Sequence, residues 1–243
     1  TPAAVRKRVY IVDEVHMLST PAFNALLKIL EEPPSHLMFI LATTELHKVP
    51  ATIRSRCQQF AFKRILPGQI AQRLEYVAGQ EGIDLTPEGA ALLARLADGG
   101  LRDALSLLDQ CSGGGQKVDE QAVLDTLGLA GNLETARLME LAARHDTAAA
   151  LETLSRLYAG GKDVGAVLGE LSSLARDLLM RKTAPRGGSA LLTGGYDETT
   201  MRGLGELLTA PRLLQMLNRL QDTAALLPRS SSRRTDAELC LIR

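Results

Sequence analysis

Asp13 and Glu14 stand side by side directly after the apolar run Val9-Tyr10-Ile11-Val12. Two adjacent carboxylates at a strand tip suit phosphate-transfer chemistry: the first helps hold Mg²⁺ and its neighbour polarises an attacking water. Acidic residues also close strands as solvated turn formers, so the pair alone leaves both readings open. Arg56, within Ser55-Arg56-Cys57 and just after an expected helix over Pro50 to Arg54, is a second candidate. A guanidinium presented across a subunit boundary stabilises the charge on a departing γ-phosphoryl group, because its fork matches phosphate oxygens and stays ionised. A surface ion pair is the simpler alternative. Arg102 follows Gly99-Gly100 and falls in the first turn of a helix, where the backbone dipole disfavours a cation. A phosphate near that helix start would explain the arginine, and the glycines would give it room to approach. Asp103 or another carboxylate would compensate Arg102 equally well. His16 and Cys57 lack the sequence partners of a dyad or metal site and are read as structural.

The elements that must position these groups begin with a strand over Val9 to Val12, uninterruptedly apolar and so expected to be buried on both faces of a parallel sheet. Thr20-Pro21 reads as the N-cap and first position of a helix with Ala22, Phe23, Leu26, Leu27 and Leu30 on one face, stopped by Pro33-Pro34. Leu37 to Ala42, ending in Thr43-Thr44, is the second strand. Strand, helix, strand implies a parallel crossover with both polar strand ends on one edge, where ligands bind in open α/β sheets. Phe60-Ala61-Phe62 reads as a last short strand, and after Pro67-Gly68 the pattern is helical. Helices are expected over Gln69 to Gly79, from a Thr86-Pro87 cap toward Ala97, over Leu101 to Cys111 and over Asp119 to Leu127. A boundary near Ala130 precedes six more amphipathic helices, over Leu133–Arg144, Ala148–Tyr158, Val164–Arg181, Thr199–Leu208, Leu213–Leu226 and Arg234–Ile242. The stretch Thr183 to Gly195, rich in Gly, Ser and Thr, is expected to be an exposed, mobile connection.

Composition narrows the functional classes. The 28 basic and 28 acidic residues cancel, which argues against a globally basic nucleic-acid binder. The 3% aromatic content and absence of Trp argue against a base-stacking platform, leaving backbone tracking possible. The clusters Arg6-Lys7-Arg8, Lys63-Arg64 and Arg233-Arg234 are too short to specify a DNA site and read as solvated faces. Cys57, Cys111 and Cys240 are too widely spaced for a zinc site or disulfide framework, which suits a reduced cytoplasmic setting. No apolar run is long enough to cross a bilayer. The chain opens at Thr1-Pro2 without Met and ends inside a periodic apolar pattern, and is read as a fragment.

Together, residues 9–18 (Val-Tyr-Ile-Val-Asp-Glu-Val-His-Met-Leu), 23–34 (Phe-Asn-Ala-Leu-Leu-Lys-Ile-Leu-Glu-Glu-Pro-Pro), 41–44 (Leu-Ala-Thr-Thr) and 55–57 (Ser-Arg-Cys) resemble the gamma/tau subunit of the bacterial DNA polymerase III clamp loader. Gly-Gly-Leu-Arg-Asp-Ala-Leu-Ser at 99–106 is similar to that family's sensor 2 segment, and the helical remainder to its lid and collar domains. The resemblance implies an α/β plus all-α fold: the C-terminal half of a RecA-like AAA+ sheet over 1–66, a helical lid over 67–129 and a helical collar over 130–243. It implies an ATPase whose ring opens the sliding clamp and places it on primer-template DNA, with partners that include the other clamp-loader subunits and, through a C-terminal extension, the polymerase core. It makes Asp13 the Walker B ligand of Mg²⁺ and Glu14 the residue that positions water. Thr44, with Thr43 as the alternative, becomes sensor 1, Arg102 a contact to bound ATP, and Arg56 a group acting in trans on the neighbouring subunit's ATP. The family's Walker A loop and four-cysteine zinc module lie upstream of Walker B and do not occur here. The isolated fragment is therefore expected to be inactive, with ATP and Mg²⁺ needing the upstream segment and zinc belonging to the full-length protein. Two alternatives stand beside this reading. One is a non-hydrolysing clamp-loader relative serving as a scaffold. The other is a DExH-type helicase, which would require a second strand-rich motor domain where this sequence reads helical.

Overall fold

A computed structural model of the protein describes residues 7–184 and 195–242. The chain separates into two compact units, Thr1–Lys63 and Arg64–Arg243. The segment 185–194, which covers most of the expected mobile connection, and Arg6 of the first basic cluster lie outside the described residues.

In the first unit β1 (Arg8–Val12) and β2 (Leu37–Leu41) pair in parallel, with Arg8 opposite Leu37 and Val12 opposite Leu41. Between them runs α1 (Thr20–Glu31). Its N-cap is Ser19, whose hydroxyl accepts from the Ala22 amide, so Thr20 is already helical and the cap sits one residue before the expected position. A second short helix, α2 (Ala51–Arg54), comes after β2. Val15, Phe23, Leu26, Val49 and Ile53 form the core of the unit, with Val12, Phe39 and Leu41 packed against it. The expectation that β1 is buried on both faces is not met. Val12, Phe39 and Leu41 pack on the core while Tyr10, stacked on Phe39, is 42% exposed, and Val9, Ile11, Met38 and Ile40 on the opposite side are 48%, 72%, 44% and 47% exposed. Among the described residues the sheet has two strands and the unit's helices cover one face, so the apolar residues of the other meet solvent. The expected strand at Phe60-Ala61-Phe62 is also absent. Those residues make no ladder, and Phe62 is 98% exposed. Alternation of two aromatics cannot create a strand without a hydrogen-bonding neighbour.

The second unit is helical: α3 (Pro67–Glu81), α4 (Pro87–Leu96), α5 (Leu101–Ser112) and α6 (Glu120–Thr126) come first. Thr86 caps α4 through the Gly89 amide and Asp119 caps α6 through the Ala122 amide, each satisfying a donor that a helix start would otherwise leave unpaired. Ile70, Leu74, Leu93, Leu108 and Val123 form their core. Six further helices, α7 (Asn132–Ala143), α8 (Thr147–Ala159), α9 (Val164–Thr183), α10 (Glu198–Leu207), α11 (Ala210–Leu226) and α12 (Arg233–Ile242), enclose a larger core. α9 lies along α11 at its centre, burying Leu168, Leu171, Leu174 and Leu178.

Polar bonds join the two cores of this unit. The Glu170 carboxylate accepts from the amides of Ala130 (2.9 Å) and Gly131 (3.0 Å), and the Asp163 amide donates to the Gly128 carbonyl at 2.9 Å. Lys162 reaches Asp125 at 2.6 Å. Burial pushes the Glu170 carboxyl above the usual glutamate range, and the two amides that it accepts from oppose that shift. Among the described residues no helix is long and apolar enough to cross a membrane.

Candidate functional site

Parallel pairing in register brings the ends of β1 and β2 together, because Val12 lies opposite Leu41 and the Ala42 amide donates to the Val12 carbonyl at 2.9 Å. The residues just past the two strands therefore meet on one edge. Asp13 comes first, exposed, with one carboxylate oxygen accepting from the Glu14 amide at 3.0 Å. Glu14 itself stands in the left-handed backbone region, φ 45 and ψ 48, where a residue with a Cβ costs roughly 1–2 kcal/mol. The turn is held in place by the Val15 amide, which donates to the Ala42 carbonyl at 2.9 Å, and by the burial of Val15. From that backbone the Glu14 side chain crosses to the second strand's end, where Oε2 accepts from the Thr44 hydroxyl at 3.1 Å and faces its amide at 3.4 Å.

The imidazole of His16 lies behind this contact with only 8% of its side chain exposed. Its Nδ1 is 3.0 Å from the Thr43 hydroxyl and 3.1 Å from Glu14 Oε2, and its Nε2 is 3.1 Å from Glu45 Oε2. Thr43 also accepts from the Glu45 amide at 3.0 Å. A hydrogen bond from Lys48 holds the Glu45 carboxyl below its ordinary range. Sequence reasoning read His16 as structural and did not consider Glu45. The signal was positional: each is polar and falls within two residues of a named strand-end group, on the edge where the strands converge.

The edge holds one carboxylate free to meet a cation and a second fixed against a hydroxyl on the neighbouring strand. Mg²⁺ keeps several waters and takes one or two protein carboxylates alongside phosphate oxygens, so Asp13, exposed and with its second oxygen open, fits it as a partial ligand. Zinc does not fit. Cys57, Cys111 and Cys240 are all free thiols, and no group of three or more His, Cys, Asp or Glu side chains among the described residues is placed to hold a metal. Burial pushes the Cys57 thiol up, away from nucleophilic thiolate.

Arg56 is in the same unit but not at this edge. Its guanidinium bonds Glu31 Oε1 at 3.0 Å and the Thr52 carbonyl at 2.9 Å. α1 runs back along the sheet between two parallel strands, so Glu31 near its end lies toward the start of β2. The length of the strand, roughly 13 Å, separates that end from Glu14 and Thr44. An exposed pair of this kind contributes little, so a stronger anion can replace Glu31 at small cost.

Arg102 belongs to the second unit, in the first turn of α5, where it is exposed and has no ion pair among the described residues; Asp103 does not take it. The room expected at the glycine pair is already taken at Gly99. Its φ is +85, and a Cβ there would lie 2.6 Å from Arg64 Cβ, while the Ile65 amide donates to its carbonyl at 3.1 Å. The close approach that demands glycine is made by this chain's own Arg64, chiefly its side chain. The basic clusters are likewise used internally, with Arg64 on Asp98, Arg233 on Asp163 and Arg234 on Glu238.

Three family models match the chain in succession: "DNA polymerase III, delta subunit" over residues 1–65, "DNA polymerase III clamp loader subunit, ATPase lid domain" over 69–116, and "DNA polymerase III subunits gamma and tau domain III" over 118–243. DNA polymerase III subunit tau of Bacillus subtilis is 46% identical over 220 residues, covering 89% of this chain and 38% of that protein. Subunit tau of Escherichia coli is 39% identical over 248 residues, covering 100% of this chain and again 38% of the relative. The chain thus spans about two fifths of the length of these relatives. Among solved structures, a Bacillus subtilis DNA clamp loader delta protein aligns at 15% identity over 99% of this chain and 78% of its own, with a TM-score of 0.44, too slight a likeness to bear on the assignment. The match over residues 118–243 takes in more than half of the 243 residues, and by it this chain belongs to the gamma and tau subunit family of DNA polymerase III.

Proposed function

We propose that the chain is the downstream part of the ATP-hydrolysing motor subunit of the bacterial clamp loader, which places the sliding clamp on primer-template DNA. The reading rests on the Glu14 carboxylate reaching Thr44 across the shared edge of β1 and β2, with Asp13 exposed beside it. Asp13 helps hold Mg²⁺ on the nucleotide, Glu14 orients and polarises the attacking water, and Thr44 registers the terminal phosphate through the same carboxylate. Mg²⁺ supplies charge neutralisation at the phosphates when bound. Arg102 contacts the nucleotide from the lid, and Arg56 leaves Glu31 to act on the neighbouring subunit's triphosphate. The first unit is the downstream half of an AAA+ core. Its bare sheet face, with Val9, Ile11, Met38 and Ile40, suits a further layer of helices packed on it, as on both faces of a parallel α/β sheet. The lid spans 67–129 and the collar 130–243, the latter joining subunits in a ring. The collar's self-contained core in α7 to α12 fits such a role. The work is cytoplasmic.

Rings reconstituted from full-length subunits, with Arg56→Ala protein mixed into unmodified protein, test the assignment. Turnover should fall in proportion to the number of mutant neighbours, by about 10³-fold or more at each affected site, because a trans arginine is worth that much in phosphoryl transfer. A defect confined to the mutant subunit's own pocket would contradict the trans role. A second reading makes the chain a scaffold subunit that does not hydrolyse nucleotide; over residues 1–65 the matching model is one described as a delta subunit and not as gamma or tau. Full activity in rings carrying only Arg56→Ala subunits would favour it.

A further inference from the structure

The catalytic carboxylate proposed above does not stand alone, and the group that fixes it is one that neither sequence pattern nor family description assigns. We propose that His16 is a positioning residue for hydrolysis: its buried ring, locked between Glu45 and Thr43, sets where the Glu14 carboxylate sits when it orients water. The inference rests on the hydrolytic reading of the Asp13–Glu14 edge and deepens it.

Three observations carry it. Both ring nitrogens have close polar neighbours: Nδ1 is hydrogen-bonded with Thr43 Oγ1 at 3.0 Å and lies 3.1 Å from Glu14 Oε2, and Nε2 lies 3.1 Å from Glu45 Oε2. The ring cannot rotate without losing the Thr43 hydrogen bond and its close approach to the two carboxylates. The partners are themselves fixed: Thr43 Oγ1 accepts from the Glu45 amide at 3.0 Å, and Glu45 is tied to Lys48 at 2.8 Å. The ring is almost wholly enclosed while the Glu14 side chain keeps 46% of its surface in solvent. The scaffold is thus buried and its functional end is exposed, the arrangement needed to hold a reacting group within a few tenths of an ångström. Glu14 also sits in a strained left-handed turn, which needs such surroundings to persist. His16 spans the two strand ends, from the 3-10 turn Val15–Met17 after β1 to the residues after β2. Any shift of Thr43 or Thr44 therefore reaches Glu14 by two routes, directly through the Thr44 hydroxyl and indirectly through the ring. Without the ring, Glu14 retains Thr44 alone, and a carboxylate misplaced by about 1 Å can cost about 100-fold in rate.

The test uses the full-length subunit in assembled rings, with ATP as the probe and kcat, KM and nucleotide affinity measured separately. His16→Ala should lower kcat by roughly 10- to 100-fold and leave KM for ATP within about threefold, the pattern of a group acting on the transition state rather than on binding. His16→Asn, whose amide nitrogen takes the place of Nδ1, should recover most of kcat, whereas His16→Gln, which mimics Nε2 and keeps only the Glu45 side, should not. Adding His16→Ala to Glu14→Gln should cost almost nothing further, because the ring acts through that carboxylate. An unchanged kcat in His16→Ala overturns the proposal. So does a KM that rises in step with the loss of kcat and is not rescued by Asn, which marks a merely structural histidine. Glu14→Gln in the same assay separates the two levels. If it turns over normally, the hydrolytic reading itself falls and the inference with it; if it is impaired while His16→Ala is not, only the inference fails.

Discussion

Leu168 in α9 and Ile11 in β1 are both aliphatic residues in the middle of regular elements, yet the first is 0% exposed and the second 72%. In the helical bundle α7 to α12, apolar faces meet one another within the chain, and the Leu-rich stripe of α9 is surrounded on several sides. In the α/β unit the same kind of residue finds partners on one face of the sheet only. Fixing a site therefore does not require a deep core beneath it. The contacts of Glu14, His16, Thr43 and Thr44 come from strand register and two backbone turns, which are local, while the sheet that carries them remains bare on its far side.

The contrast can be broken or sharpened by substitution, read by denaturant unfolding of the transition of each unit. Leu168→Ala empties a fully enclosed site and should cost about 2–5 kcal/mol in the second unit; a loss below that range would mean the bundle repacks freely. Glu170→Ala leaves the Ala130 and Gly131 amides without their acceptor and should cost about 1–3 kcal/mol. Its pH dependence has a definite sign. Burial raises the folded-state pKa of Glu170 above the ordinary value of 4.5, so its contribution is fullest below that value and declines as pH climbs through the folded one. The gap in stability between parent and Glu170→Ala should narrow as pH rises, and a gap that widens would contradict the burial argument. Ile11→Thr, at the other extreme, should change the stability of the first unit by no more than about 0.5 kcal/mol, since the side chain is already in water. A cost like that of Leu168→Ala would show that the exposed sheet face is covered in solution.

Much of this was legible in the residues. The helical periods of α3 to α12 place each element within two or three residues, because leucine spacing and the caps at Thr86 and Asp119 act locally. The strand-end carboxylates and threonines were legible for the same reason: an apolar run ending in a polar pair specifies what emerges at the edge. Burial of β1 was not, because an apolar β-branched run states a preference for covering and cannot say whether the cover is present. Phe60 and Phe62 failed as a strand for want of a neighbour, which is a tertiary matter. His16 read as merely structural because its neighbours, Thr43 and Glu45, are 27 and 29 residues away and meet it only through the parallel register. Gly99 read as room for a ligand, whereas its left-handed φ and the approach of Arg64 explain it from within the unit.

The central claim is that the carboxylate of Glu14 activates water at a bound nucleotide, and one comparison tests it most directly: ATP affinity and single-turnover hydrolysis in assembled rings of full-length subunits with and without Glu14→Gln. The account predicts affinity within a small factor of the parent and hydrolysis slower by about 10²- to 10⁴-fold, the range for loss of a positioned general base. Hydrolysis at the parental rate in the variant rings would contradict it.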